Sequence, residues 1–190
     1  MKGTILEKET FTGVDYSDKI LSDREFESCE FLNCNFSKSD LSNSDFIDCN
    51  FQNCNFSMVK LNNTGLKNVH FNDCKLLGMD FTRCNDFLLS FYFEKCYLDY
   101  STFHRKKIKK TIFKDCSIKE VDFAEADMTA SCFLNCDLTR TMFNKTVLEK
   151  VDFRTAYNYS IDPELNRIKK TRFSSTGIIG LLDKYDIIIE

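Results

Sequence analysis

The sequence is poor in the residues and motifs that carry chemistry. It has no tryptophan, one proline, six glycines and two histidines in 190 residues. His70 and His104 lie 34 residues apart, and no glycine-rich phosphate loop, HExxH or GxSxG run occurs. The reading is therefore of a protein that is not an enzyme, with no catalytic residues, no metal site and no cofactor. No stretch approaches about 18 apolar residues, so a transmembrane helix is excluded. Residues 1–10 lack the roughly 7–15-residue apolar run of a secretory signal. Net charge is −3, with no dominant sign, so neither direct nucleic-acid binding nor membrane association is expected.

What is abundant is phenylalanine, at 19, and cysteine, at 10. Ten cysteines could belong to a secreted disulfide scaffold. The missing signal run, and a length sufficient for one domain with its own core, point instead to a cytoplasmic protein with reduced thiols.

The phenylalanines are periodic. From Phe11 to Phe81 every fifth residue is a large apolar one, through Tyr16, Leu21, Phe26, Phe31 and onward. A second frame runs from Leu88 to Phe153, and 16 of the 19 phenylalanines lie on the two frames. A helix repeats near 3.6 residues and a strand near 2, so a period of five fits neither. Every fifth residue can point inward only if the chain turns a corner within each quintet, which describes a solenoid. In the second frame Phe alternates with aliphatics, and cysteines recur at twenty (Cys34, Cys54, Cys74; Cys96, Cys116, Cys136). Four sides and twenty residues per coil satisfy both patterns. The frames make about seven coils, a rod about 35 Å long at the ~4.8 Å spacing of neighbouring strands.

Nine of the ten cysteines lie two residues ahead of a frame position, a place also taken by Ser39, Ser44, Thr64, Val121 and Ala126. The shared property is small size, so these are packing residues, and buried free cysteine behaves as a small hydrophobe. Cys132 is the exception.

The quintet reads small residue, Asp or Asn, Phe or Leu, Ser or Thr, as in Cys54-Asn-Phe-Ser57 and Ala126-Asp-Met-Thr129. It resembles the pentapeptide-repeat family over about residues 11–157. The resemblance implies an all-β fold, a right-handed quadrilateral β-helix over residues 1–157, with a short C-terminal helix and strand as cap or dimerisation segment over 158–190. The run from Phe26 to Leu41, the single frame slip after Phe81 and the short non-repeat tail look most like the Qnr-type fluoroquinolone-resistance proteins. Such proteins are similar in being dimeric rods that mimic duplex DNA and bind type II topoisomerases, chiefly DNA gyrase. The protruding loops of that group have no counterpart here. A protein-interaction scaffold with another partner therefore stands as the alternative.

Four surfaces are candidates for contact. Residues 1–50 hold 11 acids and five bases, and Glu25, Glu27, Asp45 and Asp48 flank Phe26 and Phe46 on one side of the rod. Residues 104–110 form a basic block, with Arg105, Lys107, Lys109 and Lys110 as its exposed members. Lys106 falls at a small inward position, where it must snorkel or open the coil. Phe87, Phe91 and Tyr92 cluster at the slip, where Asp86 stands in an apolar place. In the tail, Asp162-Pro163 predicts a turn. Ser174 or Ser175 predicts the cap of a helix to about Lys184, and Asp186–Glu190 reads as a strand. Ile178, Ile179, Leu181 and Leu182 fall on one face of that helix and are the candidate dimer or cap contacts.

Overall fold

Corners come first, because the quintet is defined by them. The residue two places after nearly every inward position takes a left-handed conformation, with φ of +54° at Lys8, +57° at Asp18, +60° at Asp23 and +54° at Ser28. Asn and Asp tolerate this region best among residues with a Cβ, and they hold many of the corners (Asn33, Asn43, Asp48, Asn53, Asn63). Between corners the quintet bends in one of two ways. Where Asp or Asn precedes the inward residue and Ser or Thr follows it, the carboxylate or amide oxygen accepts from the following backbone N–H. Examples are Ser42 N to Asp40 Oδ1 at 3.0 Å and Thr129 N to Asp127 Oδ1 at 3.1 Å. This Asx turn tightens the side. Several quintets without that pair, such as Glu25-Phe-Glu27 and Asn50-Phe-Gln52, extend instead into a three-residue strand.

A computed structural model describes residues 4–188. It is a right-handed four-sided β-solenoid, all-β, with almost no helix. On side one, β1 (Ile5–Glu7), β3 (Glu25–Glu27), β5 (Asp45–Ile47) and β7 (Gly65–Lys67) form a parallel sheet. On side two, β2 (Thr10–Thr12), β4 (Glu30–Leu32), β6 (Asn50–Gln52), β8 (Val69–Asn72), β9 (Phe91–Glu94), β10 (Ile112–Lys114) and β11 (Cys132–Leu134) form a seven-stranded one. Register between neighbours is twenty residues, Phe26 on Phe46 and Phe31 on Phe51. Sides three and four are held by isolated parallel bridges such as Asn35 to Asn55 and Asp40 to Lys60.

The core has one aromatic ladder that runs the length of the rod, with shorter aromatic stacks, such as Phe81, Phe103, Phe123 and Phe143, and aliphatic residues on the other sides. On side two Phe11, Phe31, Phe51, Phe71, Phe93, Phe113, Phe133, Phe153 and Phe173 stack in succession, with centroids 4.7–5.6 Å apart. Neighbouring sides meet edge to face, as Phe31 and Phe36 do at 5.5 Å and 71°. Phe173 continues the ladder, and bridges Val147–Arg167 and Asp152–Arg172 carry the twenty-residue register past residue 157.

The small inward position does more than fill space. At most coils its Cys, Ser or Thr donates to the carbonyl of an inward residue one coil earlier, as in Cys54 Sγ to Phe31 O at 3.3 Å, Ser44 Oγ to Leu21 O at 2.8 Å and Thr64 Oγ1 to Leu41 O at 2.9 Å, whereas the Ser39 and Thr111 hydroxyls are buried without a partner. All ten cysteines are free thiols and nine are buried. Burial pushes Cys49 and Cys84 up to about 12, so they stay protonated.

The slip departs from the expected frame. Leu88 does not begin the second inward row; it is a corner with φ +57° and is 65% exposed. Asp86 keeps the first frame's position but faces water, because Lys106 from the next coil reaches in beneath it. The Lys106 Nζ lies 2.6 Å from Asp86 Oδ1 and 2.7 Å from Cys84 O. Leu89 and Phe91 turn inward instead. Phe91 packs on Phe81 at 5.4 Å and lies in register with Val69, and Phe93 lies in register with Phe71. The extra pair of residues is thus absorbed in the turn leading into β9, and the register there becomes 22.

The tail is also different from expectation. Residues 177–181 and 183–185 are 3₁₀ turns, not one α-helix, and 186–188 are outside any strand; residues 189–190 lie outside the described residues. The reason is packing on Tyr159. A Cβ at Gly177 would sit 2.1 Å from Tyr159 Oη and one at Gly180 2.2 Å from Tyr159 O, so two glycines lay the segment flat on the last coil. Ile161 N donates to Gly180 O at 2.9 Å, and Lys184 ties to Asp162 and Glu164 at 2.8 Å each. The turn at residues 163–165 is as the proline implies.

Replacing Phe113, in the middle of the ladder and fully buried, by alanine should cost about 3–5 kcal/mol in urea unfolding. A loss under about 1 kcal/mol would mean that the ladder does not set stability.

Candidate interaction surfaces

With inward positions filled and corners fixed, each quintet offers two outward residues, one on either side of the inward one. On side one these make two columns. The first reads Ile5, Glu25, Asp45, Gly65 by strand register, and the second Glu7, Glu27, Ile47, Lys67. The expected acids are therefore stacked, but unequally available. Asp45 pairs with Lys67 at 3.2 Å, lying across Gly65, where a Cβ would meet its Oδ1 at 1.9 Å. Asp48, at a corner, accepts from Asn68 Nδ2 at 2.6 Å. Glu27 is exposed and has no cation partner among the described residues. The structure adds Glu7, Glu9 and Glu30 to the same corner, all exposed. The signal for Glu7 was its place twenty residues before Glu27.

The basic block is largely neutralised by the coil above it. Arg105 pairs with Glu125 at 2.9 Å, Lys109 with Asp127 at 3.0 Å, and His104 Nδ1 lies 3.9 Å from Asp122. The Glu125 carboxyl is held below its ordinary value by the Arg105 hydrogen bond. Lys107 and Lys110 are exposed and without such a partner among the described residues. A run of like charge in sequence is here one half of a cross-coil set of pairs, spaced 18–20 residues apart.

The slip residues separate. Phe87 is 66% exposed on side one, with Lys67 Nζ 5.7 Å from its ring. Phe91 is buried and serves packing, not surface contact. Tyr92 stands on side two, 5.3 Å from His70 and hydrogen-bonded to Glu94 at 3.2 Å. In the tail, Ile178 and Ile179 are half-exposed, whereas Leu181 packs on the core and Leu182 is part-buried, so the four do not share one free face. Among the described residues no group of three His, Cys, Asp or Glu is placed to hold a metal, and no helix is long and apolar enough to cross a membrane.

These repeats match the family model for the pentapeptide repeat region over residues 24–91 and 88–157, and the chain belongs to the pentapeptide-repeat family. No curated protein matches it by sequence. Among solved structures it is similar to a trypsin-treated variant of QnrB1, a plasmid-mediated fluoroquinolone resistance protein, with TM-score 0.65, 19% identity and cover of 98% of this chain and 91% of that one. It is also similar to HetL, a pentapeptide repeat protein involved in heterocyst differentiation regulation from the cyanobacterium Nostoc. There the TM-score is 0.70 and identity 13%, over 90% of this chain and 86% of that one. At such identities the likeness is one of fold.

Two outcomes test the electrostatics. Asp86→Ala leaves the buried Lys106 ammonium with one carbonyl partner and should cost about 1–3 kcal/mol in chemical unfolding. Lys106→Met keeps the volume, removes the charge, and should stay within about 1 kcal/mol of the parent; equal losses in both would refute the latch. Separately, the Asp15, Asp40 and Asp152 carboxyls lie below their ordinary 3.8 through hydrogen bonds from Ser17, Ser42 and Arg154. A depressed carboxyl contributes stability above its unfolded value and loses it as pH falls through the folded one. The melting temperature should therefore be level from about pH 7 to 5 and fall below about pH 4.

Proposed function

We propose that the chain is a non-catalytic protein-binding rod whose first coils engage a type II topoisomerase, DNA gyrase or topoisomerase IV, as a partial mimic of duplex DNA. In this reading it works in the cytoplasm and confers quinolone or toxin resistance. The observation that carries it is the corner formed by Glu7, Glu9, Glu27, Glu30 and Asp48, exposed acids on a rigid frame, of which Glu7 and Glu27 stack in the twenty-residue register. A duplex carries one charge per about 1.7 Å of axis, far denser than this corner, which is why the mimicry is partial. The fold likeness to QnrB1 supports the choice of partner. A homodimer through Ile178 and Ile179 belongs to the same reading, since both stand half-exposed beyond the cap.

The second reading is a scaffold for another protein with no topoisomerase role. The pairing of Arg105, Lys109, Lys119 and Arg140 with acids of neighbouring coils favours it, because the negative stripe does not continue along the rod. A gyrase supercoiling assay decides between them. Micromolar protein should inhibit supercoiling or restore it in the presence of a fluoroquinolone, and Glu27→Lys with Glu30→Lys should abolish the effect. No effect of the parent protein would sink the topoisomerase reading and leave the scaffold.

A further inference from the structure

Side one of the rod is self-complementary about the level of Gly65, and we infer that two copies pair there, face to face and antiparallel. Its two outward columns run through the whole rod. Above β7 the first column continues through Asn85, whose N–H donates to Thr64 O at 2.9 Å, then Lys107 and Asp127, which bridge each other. The second continues through Phe87 and Lys109. A two-fold axis lying across the face keeps each column over its own copy and reverses the order of levels. Placed at Gly65, it sets Glu27 against Lys109, Glu25 against Lys107, Asp45 against Asn85 and Ile47 against Phe87. Glutamates meet lysines, of which Lys109 also pairs with its own Asp127 at 3.0 Å; an apolar residue meets the exposed slip phenylalanine; and on the axis each Lys67, paired with its own Asp45, faces its copy.

The centre of the face suits this contact. Gly65 has no side chain, and the Asp45–Lys67 pair folds flat over it and neutralises the level of the axis. Moving the axis up by half a coil would put Glu25 against Asp127, and moving it down would put Glu27 against Phe87 and Ile47 against Lys67, so the Gly65 level pairs the most acids with bases and keeps the apolar pair. The contact is isologous, as a two-fold pair requires. The slip gives it its apolar element: Phe87 N donates to Asn85 Oδ1 at 2.9 Å in the turn, and the Phe87 ring stands exposed.

About five levels at ~4.8 Å and a face about 15 Å wide give roughly 350 Å² per copy, less than half of a standard interface. Self-association is therefore weak and, being largely electrostatic, sensitive to salt. It also covers Glu27, so a partner that takes the first coils competes with it. The inference does not rest on the topoisomerase reading.

The test is sedimentation equilibrium of the full chain at roughly 5–200 μM and low salt, in a background carrying Ile178→Ser and Ile179→Ser to remove contact through the tail. A monomer–dimer equilibrium is expected, shifted to monomer at about 0.5 M salt. Glu27→Lys alone and Lys109→Glu alone should each weaken the dimer at least about tenfold by placing like charges opposite. The double exchange Glu27→Lys with Lys109→Glu should return it to within about threefold of the background. All are exposed positions, and circular dichroism checks that the fold is kept. A monomer throughout overturns the inference. So does a dimer unmoved by both single reversals, or a double exchange no better than either single one.

Discussion

Everything in this rod follows from one constraint: a five-residue side cannot bury its own apolar residue. A quintet supplies one large inward side chain, and that side chain finds cover only from the coil before and the coil after. Hence inward residues stack on one another at about strand spacing, and Phe on Phe along side two does so without interruption. A terminal coil lacks one of these neighbours. At the C-terminal end Phe173 and Tyr159 complete the stack, and Gly177 and Gly180 let the last turns lie directly on them.

The same constraint restricts where function can reside. The inward place and the small place before it are used by packing and by thiol or hydroxyl donation to the coil below. The corner demands a left-handed residue. Only the two outward positions are free to vary, and they occur as columns, one residue per level. Charge on such a column is read by its neighbours twenty residues away, not by its neighbours in sequence. The basic block at 104–110 therefore meets Asp122, Glu125 and Asp127, while the acids of the first coils meet few cations and stay exposed.

The fold was legible in the sequence because its signal is redundant. A period of five, broken once, leaves few structures that can satisfy it, and four sides followed from the twenty-residue recurrence of cysteine. The contact surfaces were less legible, since they depend on what lies one coil away. Asp45 and Asp48 looked equivalent to Glu27 by sequence, yet Lys67 and Asn68 occupy them. Leu88 fitted the inward spacing by number, yet the corner geometry after Asp86 turned it out. Leu181 and Leu182 fitted a helical face with Ile178 and Ile179, but a helical face means little where the segment is flattened against Tyr159.

The slip itself shows how tight the constraint is. Two residues are inserted, not one, and an even number preserves the alternation of inward and outward side chains. Because of it Cys74 stands beneath Cys96 at a spacing of 22, so the columns Cys34–Cys74 and Cys96–Cys136 join into one, as Phe71 joins to Phe93. A single-residue insertion would have turned Phe93 and every inward residue after it toward water until another slip corrected it. The extra pair is accommodated on side one, where the four-stranded sheet ends at β7 and where Asp86, Phe87 and Leu88 are set outward. The rod stays continuous on three sides and carries its irregularity on the fourth. The exposed phenylalanine and the buried lysine both fall on side one for that reason.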